Sequence, residues 1–268
     1  MFGTPADMVI AESYLKGIRD FESDEAFAYM KAAALGPALP GADGRDGNEE
    51  CLAHGYCPAD SMHEAVSRTL EYAWADASIG LLAEALGRPA DAAFFRARSL
   101  DYRLTWNPDT RYFQPRNADG TWFKPFLPNM TTYLDQLLGG SLVDDYVEGS
   151  PRQWRWTAPH DPAGLLALFG SPAYFVSELV TFMEQASPVR GDIYPGSAYW
   201  HGNQHDMHAI YLFNEAGRPD LTQKWVRWAL TDRYGTGPNG LAGNDDGGTL
   251  LFTVQMVSPR FRHGRRHA

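Results

Sequence analysis

Residues 61–91, SMHEAVSRTLEYAWADASIGLLAEALGRPAD, decide the predicted fold of the chain. Ser61 followed by Glu64 matches a capping box, and Gly87 is a common residue just after a helix C-terminus. Between them, apolar residues recur at steps of three and four, which predicts one apolar helix face. We therefore predict a helix over 61–86. The apolar positions are Val66, Leu70, Ala73, Trp74, Ala77, Leu81 and Leu82.

The turn that ends this helix occurs twice in the chain. LGRPAD at 86–91 resembles AGRPD at 216–220, and in both a Gly ends one helix before Arg-Pro opens the next. The repeat predicts stacked αα-hairpins. We find no runs typical of parallel strands, so we predict a mostly all-α fold, a partial (α/α)6 toroid of helical hairpins with irregular active-site loops. The predicted helices are 61–86, 89–105, 161–169, 172–186, 203–216 and 219–232.

Three segments interrupt the helical pattern. Residues 36–50 read as a polar loop, 107–130 as an irregular excursion with a turn at Asp119-Gly120, and 235–248 as a loop rich in Gly. Irregular segments on a helical frame often carry the chemistry of a protein.

Composition excludes several classes of partner. The formal charge of −10 argues against nucleic acid and against an anionic membrane. No apolar run is long enough to span a membrane, and the first residues lack the pattern of a secretory signal. Cys51 and Cys57 could bridge each other but do not identify a compartment, so localisation stays unknown.

Residues 146–161, YVEGSPRQWRWTAPHD, are dense in side chains that can do chemistry. Glu148 precedes a glycine and is a candidate acid, although a surface acid is the commoner role. Trp156, like Trp154, offers a ring that could stack on a sugar or pack in a core. His160 and Asp161 are candidate binding residues, and Asp161 could instead cap the helix that follows.

Residues 199–208, YWHGNQHDMH, contain Trp200 and His201 followed by Asn203 and Gln204. Three histidines raise the question of zinc, but no Cys or Glu completes a ligand set. The carbonyl oxygens of Asn203 and Gln204 suit a hard cation such as calcium. The alternative is a polar first turn in which Asn203 caps a helix.

The loop GNDDGG places Asp245 and Asp246 between glycines. Such a pair is often a solvated turn. The chain lacks a Walker A motif, a nucleophile elbow and a dinucleotide fingerprint. The remaining acids, amides and aromatic rings suit glycoside hydrolysis, in which one carboxyl protonates the leaving oxygen and another activates water or attacks the sugar.

Taken together, these strings resemble glycoside hydrolase family 92, the calcium-dependent exo-α-mannosidases. The resemblance runs from residue 3 to about 248, in the order GTPADMV, GYCPADSMHEAVSRTLEYAWADASI, YVEGSPRQWRWTAPHDPAGL, YWHGNQHDMH and GLAGNDDGG. It implies a β-sandwich followed by an (α/α)6 barrel, and hydrolysis of terminal α-mannosidic linkages in mannose-containing glycans, α-1,2-mannosidase-like, with inversion and with calcium.

The resemblance also implies roles for individual residues. Glu148 matches the general acid, Asp246 the general base, and Asp245 lies beside the base. Asn203 and Gln204 match the motif near the metal and the mannose, where Gln204 replaces a commoner Glu. Trp200, His201, Trp156, His160 and Asp161 are the expected substrate-binding residues.

Two departures from the family pattern shape the predicted domain organisation. We expect residues 1–248 to form a partial catalytic domain without the family's β-sandwich and first barrel helices, which a separate chain could supply. We expect residues 249–268 to be a divergent basic tail, produced by a shifted frame or a truncated gene; the alternative is a genuine basic tail. The alternatives are an inactive or carbohydrate-binding remnant, and an unrelated toroid enzyme such as a sugar epimerase.

Overall fold

The structure, a computed structural model, describes residues 3–37, 44–140, 142–189 and 196–244. They are predominantly helical, and their only strands are two short antiparallel ones. The chain divides into two compact units, which we describe separately. Unit 1 contains Met1–Pro128, Gly140–Val147 and Ala158–Asp161, and unit 2 contains Asn129–Gly139, Glu148–Thr157 and Pro162–Ala268.

Unit 1 is built on helices α1 (Pro5–Leu15), α2 (Ser23–Leu35), α3 (Asn48–His54), α4 (Ala65–Ala85) and α5 (Pro89–Arg98). A 3₁₀ helix over Asp101–Thr105 follows. Phe27, Ile79 and Phe95 form the centre of its apolar core. Helices α4 and α5 approach closely at Gly80, where an added Cβ would lie 3.3 Å from the Arg96 backbone nitrogen.

The excursion predicted for 107–130 is present. Strands β1 (Trp106–Asn107) and β2 (Tyr112–Phe113) pair with Trp106 opposite Phe113, and Arg116 bridges to Trp122. Gly120 turns the chain with a φ of 85°.

Unit 2 is built on shorter helices: α6 (Thr132–Leu137), α7 (Pro151–Trp154), α8 (Pro162–Leu168), α9 (Pro172–Glu184), α10 (Gln204–Met207) and α11 (Pro219–Trp228). A 3₁₀ helix, His208–Phe213, follows α10, and a π-helical turn, Ala229–Arg233, follows α11. Its core is aromatic. The Trp156 ring stacks on Phe169 at 5.1 Å and contacts Phe175 and Phe182.

The repeated turn predicted from sequence has the same backbone geometry at both sites. Gly87 and Gly217 each have a φ of 71°. The Arg88 amide donates to the Ala83 carbonyl at 2.8 Å, and the Arg218 amide donates to the Phe213 carbonyl at 2.9 Å. This is the C-terminal motif in which a left-handed residue satisfies the last carbonyls of a helix. The sequence repeat is therefore a structural repeat.

Several predicted helix limits are wrong, and each has a local cause. Helix α4 begins at Ala65 because Glu64 is left-handed, with a φ of 59°, and donates its N–H to the Asp144 carbonyl at 2.7 Å. The capping box therefore does not form, and the Ser61 hydroxyl donates to the Pro58 carbonyl. The predicted helices 89–105, 203–216 and 219–232 each change to a different helical type before their predicted end.

Cys51 and Cys57 form a disulfide within unit 1. In the described ranges, no single helix is both long and apolar enough to cross a membrane. The pair Pro162–Leu168 and Pro172–Glu184, bent by 99°, meets that criterion only together.

Candidate active site

The backbone around Glu148 is held in a strained conformation. Glu148 has a φ of 45°, in the left-handed region that L-residues rarely adopt. The next residue, Gly149, is fixed by Thr132, whose Oγ1 accepts from the Gly149 amide at 3.0 Å and whose amide donates to the Gly149 carbonyl at 2.8 Å. Ser150 then caps α7 by accepting from the Gln153 amide. The carboxyl of Glu148 is exposed.

Asn203 connects this turn to the second candidate segment. Its Nδ2 donates to the Glu148 carbonyl at 2.5 Å, and the residue is 3% exposed. Asn203 occupies the N-cap position of α10 but makes no side-chain capping bond, so the simple capping interpretation is wrong. Because the partner is a carbonyl, the amide must present its nitrogen there. The Oδ1 side is therefore the side available to a cation or a sugar.

A buried carboxyl, that of Asp206, holds the segment 197–203 in place through hydrogen bonds. Asp206 is fully buried, and its Oδ2 accepts from the Trp200 amide at 2.9 Å and from Gln153 Nε2 at 3.1 Å. Burial raises the pKa of Asp206 well above its usual value. Gln153 also donates to the Ala198 carbonyl at 3.1 Å. This brace ties the segment that carries Trp200 and Asn203 to α7.

His201 is held between two tyrosines. Its Nδ1 pairs with the Tyr199 hydroxyl at 2.5 Å and its Nε2 with the Tyr234 hydroxyl at 2.7 Å. Burial lowers the pKa of His201 to about 4, so the ring is neutral at pH 7. His201 is 2% exposed, so its role is to hold the segment in place through its two hydrogen bonds.

The loop that leads to the paired acids packs against the same segment. An added Cβ on Gly243 would lie 2.6 Å from the Gly202 carbonyl oxygen and 2.9 Å from the Gly202 Cα. A Cβ on Gly202 would lie 2.6 Å from the Ala242 carbonyl oxygen. Only glycine permits this backbone contact. Asp245 and Asp246 lie outside the described residues and follow Gly243 by two and three positions.

The remaining predicted residues have other surroundings. Gln204 is exposed at the start of α10, and Trp200 is half-buried. Trp156 is 1% exposed in the aromatic core of unit 2, so its ring does not offer an open face there. His160 and Asp161 belong to unit 1, where His160 Nε2 contacts the Ser99 carbonyl at 2.9 Å. Asp161 accepts from the Tyr102 hydroxyl at 2.9 Å and pairs with Arg103.

The sequence did not single out Asp206 or Gln153. Asp206 is an acid within a stretch of aromatic and amide residues, and its position three residues after Asn203 is the only signal that could have marked it. Among the described residues there is no cluster of three or more His, Cys, Asp or Glu side chains suited to a metal. His205 instead stacks on Trp154 at 4.6 Å.

Comparison with known proteins identifies the protein family. The glycosyl hydrolase family 92 catalytic domain matches residues 1–252, and the chain belongs to this family. A family GH92 α-mannosidase of Bacteroides thetaiotaomicron, solved in complex with mannoimidazole, is 31% identical, with a TM-score of 0.83 over 96% of this chain. An inverting mannosidase of the same family and organism is 28% identical, with a TM-score of 0.80 over 95% of this chain.

A further relative, from Arthroderma benhamiae, is described as an uncharacterized secreted glycosidase and is 28% identical over 94% of this chain. The chain spans 33%, 35% and 34% of these three proteins, about a third of each. These similarities confirm the predicted family and the mostly helical fold class of its catalytic domains. The division at residue 248 stays a prediction.

Proposed function

We propose that this chain takes part in hydrolysis of terminal α-mannosidic linkages in glycans, by an inverting acid/base mechanism. One observation carries the proposal: three separate segments meet within unit 2. Asn203 bonds the Glu148 carbonyl, and Gly243, which leads to the paired acids, packs on Gly202. Membership of family 92 and the similarity to solved α-mannosidases support mannosides as the substrate class.

In the proposed reaction Glu148 is the general acid. Its proton passes to the glycosidic oxygen as the bond from that oxygen to C1 breaks. Asp246 takes a proton from water, whose oxygen forms the new bond to C1 from the opposite face. The products are β-mannose and the free alcohol. Asp245 is assigned to positioning its neighbour.

The structure supports Glu148 in this role through its backbone. A strained, left-handed residue persists only where its surroundings hold it, and such residues cluster at functional sites. Here Thr132 bonds Gly149 and Asn203 bonds the Glu148 carbonyl, so the exposed Glu148 side chain extends from a backbone that is fixed on both sides. Trp200 is the proposed sugar-facing ring, since it is the half-buried aromatic of the braced segment.

Calcium is part of the proposal through Asn203 and Gln204. The two residues fit as oxygen ligands, because the Asn203 amide turns its nitrogen to Glu148 and Gln204 is exposed beside it. They supply two of the six to eight oxygens that calcium takes, so further ligands are required. When bound, calcium would orient sugar hydroxyls and stabilise charge.

The test compares two leaving groups. Glu148→Gln should lower hydrolysis of an alkyl or glycosyl mannoside by roughly 10²–10⁴, the range for general acid catalysis, and an activated aryl mannoside should lose less. Asp246→Asn should harm both substrates alike, since both need the activated water. Glu215→Gln, an exposed acid on another turn of unit 2, is the control and should change neither. The assignment is refuted if Glu148→Gln and Asp246→Asn lower the hydrolysis rate no more than the control Glu215→Gln does.

A second candidate is mannoside binding without hydrolysis. The observation that favours it is that the buried Asn203 amide and the half-buried Trp200 ring lie in one braced segment and can contact a sugar without either carboxyl. Calorimetry with α-1,2-mannobiose, combined with a product assay on the same sample, separates the two. Binding with no free mannose after long incubation would select the binding function.

A further inference from the structure

Unit 1 contains a cavity of about 260 Å³ that the proposed hydrolysis does not use. Its walls come from α3, α4, the end of α5 and the turn closed by the Cys51–Cys57 disulfide. At roughly 30 Å³ per molecule, the space equals about nine waters, enough for a small organic ligand.

One wall carries a buried acceptor without a partner. Asn48 is 2% exposed, and its Nδ2 donates to the Gly36 carbonyl at 2.6 Å and to the Ala34 carbonyl at 3.3 Å. Both partners are carbonyls, which fixes the amide orientation and leaves Oδ1 on the other side. Within the described ranges, that buried Oδ1 accepts no hydrogen bond. It requires a donor from a ligand or from water.

The cavity presents further acceptors but few donors. Asp101 lines it with a half-buried carboxyl, while the Asp76 carboxyl is paired with Arg45 at 2.7 Å and with Arg98 at 3.0 Å. The lining hydroxyls donate elsewhere: Tyr56 to Asn117, Tyr72 to Asp46 and Thr69 to Ala65. A ligand that fits must therefore bring several donors of its own.

Charge and aromatic rings narrow the ligand class. The charged groups of the lining balance one another, because Arg45 and Arg98 both pair with Asp76. Arg98 also lies near Asp101, so a ligand without net charge fits best. The rings of Tyr56, Tyr72 and Phe94 also line it, and they provide apolar faces for C–H groups. Hydroxyl donors combined with C–H faces are the surface of a sugar.

We propose that the unit 1 cavity binds a neutral polyhydroxyl ligand of monosaccharide size, with Asn48 Oδ1 and the Asp101 carboxyl accepting from its hydroxyls. The site is built from unit 1 residues alone, whereas Glu148 and Asn203 belong to unit 2. Binding here does not depend on hydrolysis.

The experiment is methyl NMR on the full chain with labelled leucines, titrated with mannose. Leu52 lines the cavity and reports on it, while Leu241, near the unit 2 segment, reports elsewhere. We expect the Leu52 signals to shift with a dissociation constant on the order of 1 mM, ordinary for a ligand of this size. Glu148→Gln should leave the Leu52 response unchanged, which separates this site from the proposed active site.

Two variants test the walls without removing the Asn48 contacts that hold the backbone. Phe94→Ala and Asp101→Leu should each weaken the Leu52 response at least fivefold, whereas Tyr29→Ala, an exposed aromatic of α2, should not. Tetramethylammonium should produce no shift. The proposal is overturned if mannose leaves Leu52 unshifted, if both wall variants bind as wild type, or if only tetramethylammonium shifts Leu52.

Discussion

Replacing Glu148 with glycine should raise stability while removing activity. Glu148 holds a φ of 45°, and within the described part of the chain its exposed side chain makes no hydrogen bond or ion pair. The left-handed conformation of Glu148 therefore costs folding free energy, and within the described residues no contact of its side chain offsets that cost. Glycine adopts it freely.

The magnitude follows from two opposing terms. A left-handed L-residue costs roughly 1–2 kcal/mol, and glycine loses about 0.5–1 kcal/mol more chain entropy on folding. The net gain for Glu148→Gly is about 0.7 kcal/mol, or roughly 1.5–3 °C in the melting temperature of a domain of this size. Glu148→Gln keeps the strain, so its stability should stay within about 0.5 kcal/mol of wild type.

Thermal unfolding and mannoside hydrolysis, measured on the same preparations, test this reasoning. Both variants should lose the proposed general acid and fall in rate by roughly 10²–10⁴. Glu215→Gly, at an exposed acid whose backbone is not left-handed, is the control and should keep activity without stabilising the fold. If Glu148→Gly melts no higher than Glu148→Gln, the backbone at this residue is not under the strain inferred here.

Three further outcomes are expected. Gly243→Ala should lower hydrolysis at least tenfold and also lower the melting temperature, because its Cβ would meet the Gly202 backbone at 2.6 Å and displace the loop. Unchanged kinetics would show that this contact does not position the acids. Burial raises the pKa of Asp7 to about 6, so its contribution to stability is present below pH 3.8 and is lost as pH rises through 6. In urea unfolding from pH 4 to 8, the free energy of unfolding of Asp7→Asn should therefore increase relative to that of wild type by up to about 3 kcal/mol. Parallel plots of unfolding free energy against pH for the two proteins would contradict this. Reducing the Cys51–Cys57 bond, which closes a short loop, should cost about 2 kcal/mol by denaturant titration, and an unchanged midpoint would exclude that contribution.

Sequence reasoning predicted the repeated helical turns because they depend on local chemistry. Gly87 and Gly217 supply the positive φ that ends a helix, and the Pro two residues later opens the next one. Such signals need no information from distant residues. The same is true of the irregular segment at 107–130.

Other features depended on contacts between residues far apart in the chain. The capping box at Ser61 failed because the Glu64 amide bonds the Asp144 carbonyl, eighty positions away. Asn203 looked like a helix cap, yet its amide reaches Glu148. Asp206 could not be recognised as a brace until Gln153 and Trp200 were placed around it. Tertiary context decided each case.

The most direct test of the account is the configuration of the first mannose released. Proton NMR of hydrolysis in progress, on a fast substrate and before mutarotation, resolves the two anomers. A single displacement by water opposite Glu148 predicts that β-mannose appears first and that α-mannose grows in only as the sugar equilibrates. If α-mannose appears first, the roles proposed for Glu148 and Asp246 are wrong.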